Sequence, residues 1–521
     1  MRPASGPHRR TPPRWGPSLA SLRCDSKRNG EVDAWQHEVV AADPLARLRL
    51  LGLAGATSLA TGAASAGVYP RPDPVAGTAV LGALRAAPAV GVVLALAGML
   101  ALVVAWWRLG ALWRAGGELP SVRWTVVTVA LWALPLAVAP PLFSRDVYSY
   151  AAQGDIYAHG MDPYGGGPAS LPSQWLGSVS PTWWDTPAPY GPLFLLLARL
   201  AADVSGGHLT VAVVLLRLVA VAGVALIAMY LPRLARGCGL DERVAVWLGL
   251  GSPLLLAHFV SGAHNDALMM GLLVAGLAYA VERHGVPAAI LIGLAGAVKV
   301  PALVALPFVA LLVWPGMPRW RAVAGTSAVA AVVFGAVSAA AGLGLGWVEA
   351  LRTPGSSVQW TSLPTGLGLA AGWVLEQTRT GSTATAMTVT RTLGMLATLV
   401  ALAVLWWRAR GRGPREVVAA FGWGLAAMVV LAAAFHPWYA LWPIVILAAS
   451  TVADGVRRGL AVAVTVLSFL LLPDGYNLAR ATVLPGILLD IAVTVAAVVW
   501  AVRWAGRAES RSERPPGRTG A

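Results

Sequence analysis

About fourteen apolar runs, most near the length that crosses a bilayer, alternate with short polar connections, and this alternation constrains the fold more than any other feature. The runs occupy 46–67, 87–108, 123–142, 208–232, 243–260, 265–283, 286–298, 300–314, 320–343, 386–408, 415–434, 437–452, 457–473 and 483–504. A helix needs about 20 apolar residues to cross the hydrocarbon layer. In lipid every backbone N–H and C=O must be satisfied within the protein, which a helix does for itself. The expected fold is an all-α polytopic membrane protein, a bundle of about 12–14 transmembrane helices with a long first outer loop containing interfacial helices. Runs 286–298 and 300–314 are short and read as half-helices or one broken helix.

The chain is 57% hydrophobic and only 12% charged, about half the charge of a soluble protein, roughly 25%. A net charge of +15 would suit nucleic acid, but the arginines sit at the ends of apolar runs and in both tails. That is the positive-inside pattern, and no nucleic-acid partner is expected. Membrane lipids are expected partners instead, through the basic tails. Cys24 and Cys238 lack metal-ligand spacing, and no disulfide is expected. Residues 1–44 read as a disordered cytoplasmic arm, 45–505 as the membrane domain and 506–521 as a basic cytoplasmic tail. No cleaved signal peptide is expected, since the first apolar run begins near residue 46.

The arginines also set the orientation. Arg108, Arg114 and Arg123 share one connection, as do Arg233, Arg236 and Arg243, then Arg319 and Arg321, then Arg408, Arg410, Arg412 and Arg415, then Arg457 and Arg458. Placing them inside puts both termini in the cytoplasm of a multi-pass plasma-membrane protein. Residues 190–204 are apolar too, but a crossing there would turn the later arginines outward, so they read as an interfacial or re-entrant helix. The opposite face then collects the acids, histidines, aromatics and amides: loop 143–207, Ser261–Asp266, Lys299, a second outer loop 344–385, His436–Tyr439 and Pro473–Asn477.

Within that set, Ser144-Arg145-Asp146-Val147-Tyr148-Ser149-Tyr150 is the densest cluster. Asp146 and Tyr150 share a helix face, whereas Asp155 lies about 180° around from Asp146 and cannot pair with it unless Gly154 breaks the helix. One carboxylate at a membrane boundary suits a single general base; the alternative is a helix cap. Trp175, Trp183, Trp184 and Tyr190 offer planes for a sugar face, or anchors at the headgroups. Asn265 or Asp266 is placed as an N-cap, and His264 beside that helix start as an anion donor. Lys27 and Lys299 are the only lysines among 39 basic residues, and Lys299 sits between two half-helices as a phosphate contact or a structural ion pair. His436, with Trp438 and Tyr439, is open between phosphate or sugar contact and an interfacial role. Arg391 lies inside an apolar run and reaches for an anionic group.

Together with Gly154, Gly160-Met161-Asp162-Pro163-Tyr164, Ala188-Pro189-Tyr190-Gly191-Pro192, Gly262-Ala263-His264-Asn265-Asp266, Gly296-Ala297-Val298-Lys299 and His436-Pro437-Trp438-Tyr439, the cluster resembles the actinobacterial MptB-type α-1,6-mannosyltransferases of the GT-C superfamily, over most of residues 45–505. The resemblance implies a GT-C-like helical bundle and inverting transfer of mannose from a polyprenyl-phosphate-mannose donor to a lipid-anchored α-1,6-mannan acceptor of lipomannan or lipoarabinomannan type. It implies that Asp146 deprotonates the acceptor hydroxyl and that Asp155 orients the acceptor. Physical inference adds Lys299, His264, His436 and Arg391 near the donor phosphate, and Tyr148, Tyr150, Asn265, Asp266, Trp184, Tyr190, Trp438 and Tyr439 around the substrate. No cofactor is expected, a divalent metal being left open. No carbohydrate-binding domain of the related arabinosyltransferases is read at the C-terminus. The competing readings are a transferase for another lipid-linked sugar or acceptor, and a lipid-linked-sugar flippase, which would be expected to place its polar residues at the midplane in repeated halves.

Overall fold

In the computed structural model every expected apolar run falls on a helix or a pair of helices, and the connections decide how they are arranged. The structure describes residues 43–75, 77–351 and 357–512. Residues 1–42 of the expected arm, with Cys24, and 513–521 of the expected tail lie outside the described residues. From Leu48 on, the described residues form one compact unit.

The helices are α1 (Pro44–Ala66), α2 (Pro88–Arg114), α3 (Val122–Val138), α4 (Asp146–Ala158), α5 (Pro192–Ser205), α6 (Leu209–Gly237), α7 (Glu242–Leu250), α8 (Pro253–Ser261), α9 (Asp266–Val281) and α10 (Gly285–Val298). A 3₁₀ segment, Val300–Ala305, leads into α11 (Leu306–Val313), followed by α12 (Arg319–Ala341), α13 (Leu363–Gln377), α14 (Thr383–Ala409) and α15 (Pro414–Val430). The last are α16 (Leu441–Ala448), α17 (Asp454–Ser468) and α18 (Val483–Ser512). Among the described residues four helices, α2, α6, α12 and α14, are long and apolar enough to cross a membrane alone, and α7 with α8, bent by 44°, would make a fifth if the pair is one broken span.

Several other expected crossings are shorter, 10–17 residues, because proline or unwound backbone interrupts them. Pro140 and Pro141 follow α3, Pro301 follows the break after α10, and Pro437 opens a 3₁₀ turn before α16. The bent pair carries π-helical turns at Val246–Leu250 and Leu256–Ser261, which are frequent near functional sites.

Freed carbonyls at such breaks need donors. Buried Arg217 on α6 supplies three of them: Nη1 donates to Ala137 O (3.0 Å) and Ala139 O (2.6 Å), and Nη2 to Ser261 O (3.0 Å). Trp106 and Trp247 lock α2 to α7 by donating each indole N–H to the other's carbonyl, at 2.8 and 2.9 Å.

The connections sort into two groups by their contacts. In one, Tyr148 donates to Val68 O (2.8 Å), Arg71 N–H to Ser178 Oγ (2.8 Å), Trp360 to Ala479 O (2.9 Å) and Ser362 to Ala432 O (2.6 Å). In the other, Arg243 meets Glu118 at 2.9 Å, Arg233 pairs with Glu282, and Arg457 lies over Trp113.

Two connections contain more structure than loops. The segment expected as an interfacial helix, 190–204, carries α5 (Pro192–Ser205), whose 14 residues span about 21 Å, less than the roughly 30 Å of hydrocarbon. It packs against α4, α6, α10 and α12 through Phe194, Leu195 and Ala198. The expected second outer loop, 344–385, needs correction: it holds a short helix at Gly346–Ala350 and all of α13, which packs on α14 and α18. Three glycines in α13 lower its helix propensity and hid it, while Ser362 caps it by accepting the Thr365 N–H at 3.3 Å.

α4 runs unbroken through Gly154, and a Cβ there would collide with the Ala198 carbonyl of α5. Gly154→Val is expected to destabilise the protein by about 1–3 kcal/mol, read as a lower Tm in detergent. Gly455→Ala, in the first turn of α17 with nothing within 4 Å, should leave Tm unchanged or slightly raised.

Candidate active site

The chain brings Asp146 into place by ending α3 at two prolines and then turning sharply. Phe143 takes a left-handed φ of 69°, a strained conformation for a bulky residue. Ser144 Oγ then accepts the Asp146 N–H at 3.0 Å, and Asp146 opens α4. Arg145 points the other way and grips Asp474 with two N–H donors, at 2.7 and 2.9 Å. Asp474 and Gly475 also have positive φ, and a Cβ on Gly475 would sit 3.3 Å from Phe143 O, so the 474–477 turn presses directly on the 143–144 turn.

One cavity of about 220 Å³ has Asp146 in its wall. From α4 it takes Asp146, Ser149, Tyr150 and Gln153, the i, i+3, i+4 and i+7 positions of one helix face. Trp183 and Tyr190 come from the connection between α4 and α5, and Lys299 from the break after α10. His436, Trp438 and Tyr439 close it from the break before α16, and Trp442 from its first turn. Tyr150, Tyr190 and Phe194 pack edge to face with centroids 5.0–5.3 Å apart, which fixes the aromatic wall.

Behind Asp146, His264 is fully buried, with Nδ1 3.5 Å from the carboxylate and 3.3 Å from Tyr150 Oη. It follows Ala263, a second residue with positive φ, at 52°. Trp438 stacks on His264 at 3.8 Å and on His436 at 4.6 Å. Burial pushes the His264 pKa well below its ordinary value, and that of His436 down to about 4, so both rings are neutral near pH 7. Burial pushes the Asp146 carboxyl up to about 6, with the Lys299 charge and the Ser144 hydrogen bond opposing.

Lys299 and Asp266 form a buried pair at 3.0 Å to both carboxylate oxygens. Trp442 adds an N–H to Asp266 at 2.8 Å, and the ammonium lies 4.6 Å from the Tyr439 ring centroid. Lys299 is therefore both an ion-pair partner and a cavity wall. Among the described residues Asp146 has no lysine or arginine within ion-pair distance, and no group of three or more His, Cys, Asp or Glu residues could hold a metal.

Of the residues singled out by sequence, Asp146, Tyr150, Tyr190, Lys299, His436, Trp438 and Tyr439 line this cavity, while His264 and Asp266 stand directly behind it. Others are placed elsewhere. Asp155, on the far face of the unbroken α4, meets His159 at 3.3 Å, so it is no partner to Asp146. Tyr148 faces Val68, and Asn265 is buried outside the cavity without a side-chain cap bond. Trp184 donates to Val179 O (3.2 Å); its neighbour Trp183 lines the cavity instead. Arg391 donates to Thr365 Oγ1 (3.0 Å) and Ser357 O (2.8 Å), bracing the wall residue Ser357. Ser149 and Gln153 were missed, although their helical spacing from Asp146 is the signal that finds them.

Comparison with known proteins places this geometry. The family model described as alpha-(1->6)-mannopyranosyltransferase, N-terminal domain, matches residues 49–315, and that of the MptB C-terminal domain matches 364–503. The chain is 35% identical to alpha-(1->6)-mannopyranosyltransferase A of Mycobacterium tuberculosis over 441 residues, 82% of this chain and 84% of that protein. It is 32% identical to alpha-(1->6)-mannopyranosyltransferase B of Corynebacterium glutamicum over 481 residues, 84% of this chain and 78% of that one. Both matched segments contribute to the cavity, Asp146 and Lys299 from the first and His436 to Trp442 from the second. The chain belongs to the alpha-(1->6)-mannopyranosyltransferase family.

Proposed function

We propose that the protein is an inverting mannosyltransferase that moves mannose from polyprenyl-phosphate-mannose to an α-1,6-mannan acceptor of the lipomannan or lipoarabinomannan type. The observation that carries this is Asp146: a carboxylate in the cavity wall, out of reach of any lysine or arginine among the described residues, with a pKa raised to about 6. Such a group is ionised at neutral pH and basic enough to take a proton.

In this reading the acceptor O6–H gives its proton to a carboxylate oxygen of Asp146 as O6 bonds to C1 of the β-linked mannosyl group. The C1–O bond to phosphate breaks from the opposite face, its electrons staying with the departing polyprenyl phosphate. The new linkage is α. A lipid phosphate leaves readily, so cationic and hydrogen-bonding contacts matter more than a general acid. Lys299 and His436 line the cavity where that phosphate would sit, and neutral His264 supports the base without quenching its charge. The apolar remainder of the wall, Pro301, Leu351, Met428 and Val429, suits the start of a prenyl chain. The positive-inside bias supports a plasma-membrane enzyme with this site on the non-cytoplasmic face and both termini in the cytoplasm.

The direct test supplies membranes carrying the protein with polyprenyl-phosphate-mannose and a short α-1,6-mannoside. Asp146→Asn is expected to lower transfer by about 10²–10⁴-fold, and full activity in that variant would remove the general-base role. Movement of lipid-linked sugar across vesicles without a glycosidic bond would instead identify a flippase. The base must be ionised to act, so kcat/KM should rise as pH increases through about 6 and level off above it. A profile flat across that interval would place the base elsewhere. Lys299→Met should destabilise the protein by about 3–5 kcal/mol by leaving Asp266 buried and unpaired. Lys299→Met with Asp266→Leu should recover most of the Tm but not the transfer activity; recovery of both would reduce the pair to a structural element.

A further inference from the structure

Asp146 stands in the wall of two spaces, and the proposed function uses only one. The second is a groove of about 440 Å³ that shares Asp146, Trp183, Ser357, His436 and Trp438 with the first. Their other walls differ in chemistry. Beyond Ser149, Gln153 and Lys299 the first is largely apolar, and it runs through Val300, Pro301 and Leu351 into a larger apolar groove of about 1380 Å³ beside α11, α12 and α14. The second is mainly polar, walled by Ser180, Thr182, Gln359, Asp474, Tyr476 and Asn477, with Arg145 and Arg480 beside them.

The geometry points to this polar groove as the binding site for the terminal one or two sugars of the acceptor, an inference that rests on the proposed mannosyl transfer. Hexoses are recognised by aromatic planes against their C–H faces and by fixed carboxylate and amide groups that exchange hydrogen bonds with their hydroxyls. Trp183 and Tyr476 supply the planes. Asp474 is held by the two Arg145 N–H donors and keeps lone pairs for hydroxyl donors. Asn477 is held by its amide donating to Gln359 Oε1 at 2.8 Å and its carbonyl accepting the Ala479 N–H at 2.9 Å. A polar network fixed before the ligand arrives reduces the ordering cost of binding. The groove falls within the roughly 300–1,000 Å³ of small-ligand sites.

The placement also satisfies the stereochemistry. Inversion needs the attacking hydroxyl and the leaving phosphate on opposite faces of C1. A donor reaching Asp146 through the apolar space and an acceptor reaching it through the polar groove meet at their common wall. The acceptor's O6–H loses its proton to Asp146 there, as the C1–O–phosphate bond breaks on the donor side.

Thr182 and Tyr476 line only the polar groove, and both are exposed in the structure. Thr182→Trp, which fills the groove, is expected to raise the acceptor KM tenfold or more. Tyr476→Ala, which removes a plane, should raise it about fivefold. Both variants should keep the wild-type donor affinity, measured by direct binding of polyprenyl-phosphate-mannose. Wild-type acceptor KM in both variants overturns the groove assignment while leaving the transferase reading intact. A matching loss of donor affinity overturns it too, by putting the donor in the groove. Absence of mannoside transfer by the wild-type protein would instead sink the function on which the inference rests.

Discussion

The Lys299–Asp266 pair is the interaction on which the site depends. Each partner sits at a break in helical structure, Asp266 where α8 gives way to α9 and Lys299 where α10 gives way to the 3₁₀ turn. A charge buried at such a place is costly unless it is matched and hydrogen-bonded. Here the ammonium bonds both carboxylate oxygens, Trp442 donates a further N–H, and Tyr439 presents its ring to the cation. The charges come from the segment matched by the N-terminal family model and the indole and phenol from the C-terminal one, so the pair binds the two parts of the chain together.

The same logic of satisfying unwound backbone recurs around it. Arg217 takes carbonyls at the ends of α3 and α8, Arg391 takes Ser357 O, and Ser362 and Thr365 take Ala432 O and Ala433 O beside the His436 turn. Irregular backbone at membrane depth survives only where protein or a cavity covers it. Cavity and broken helices are thus one feature: the breaks that bring Lys299 and His436 inward also expose carbonyls, and buried polar side chains meet them. Positive φ at Phe143 and Ala263 shows backbone strain held three residues before Asp146 and immediately before His264.

Apolar periodicity made the helices legible, and residue density made the Ser144–Tyr150 cluster legible. Helix existence follows from local composition, and rare polar residues in an apolar chain have few places to go. The structure gathers Lys299, His436, Trp438 and Tyr439 around Asp146 although they are distant in sequence. What stayed hidden depended on tertiary register. Trp183 rather than Trp184 faces the cavity because one 3₁₀ turn, Pro181–Trp183, sets which indole points inward. Helix α13 reads as loop in the sequence because glycine lowers propensity, whereas packing on α14 and α18 decides its state. The Arg145–Asp474 bond, joining residues 329 apart, has no local signature.

In the proposed reaction these charges also select which acid acts. Three aspartates stand close to the site, and two are committed: Asp266 to Lys299, and Asp474 to Arg145. Asp146 is left with a neutral histidine at 3.5 Å and, beyond ion-pair distance, the charge of Lys299. Burial raises its pKa, the Lys299 charge lowers it, and the Asp266 charge raises it again by offsetting that lysine. An uncompensated Lys299 would make Asp146 a weaker base; no lysine at all would let burial dominate and protonate it near neutral pH. The buried pair therefore does more than hold two breaks together. By presenting Asp146 with a lysine whose charge is already largely matched, it leaves the carboxylate poised near 6, where a base is both ionised and able to accept a proton.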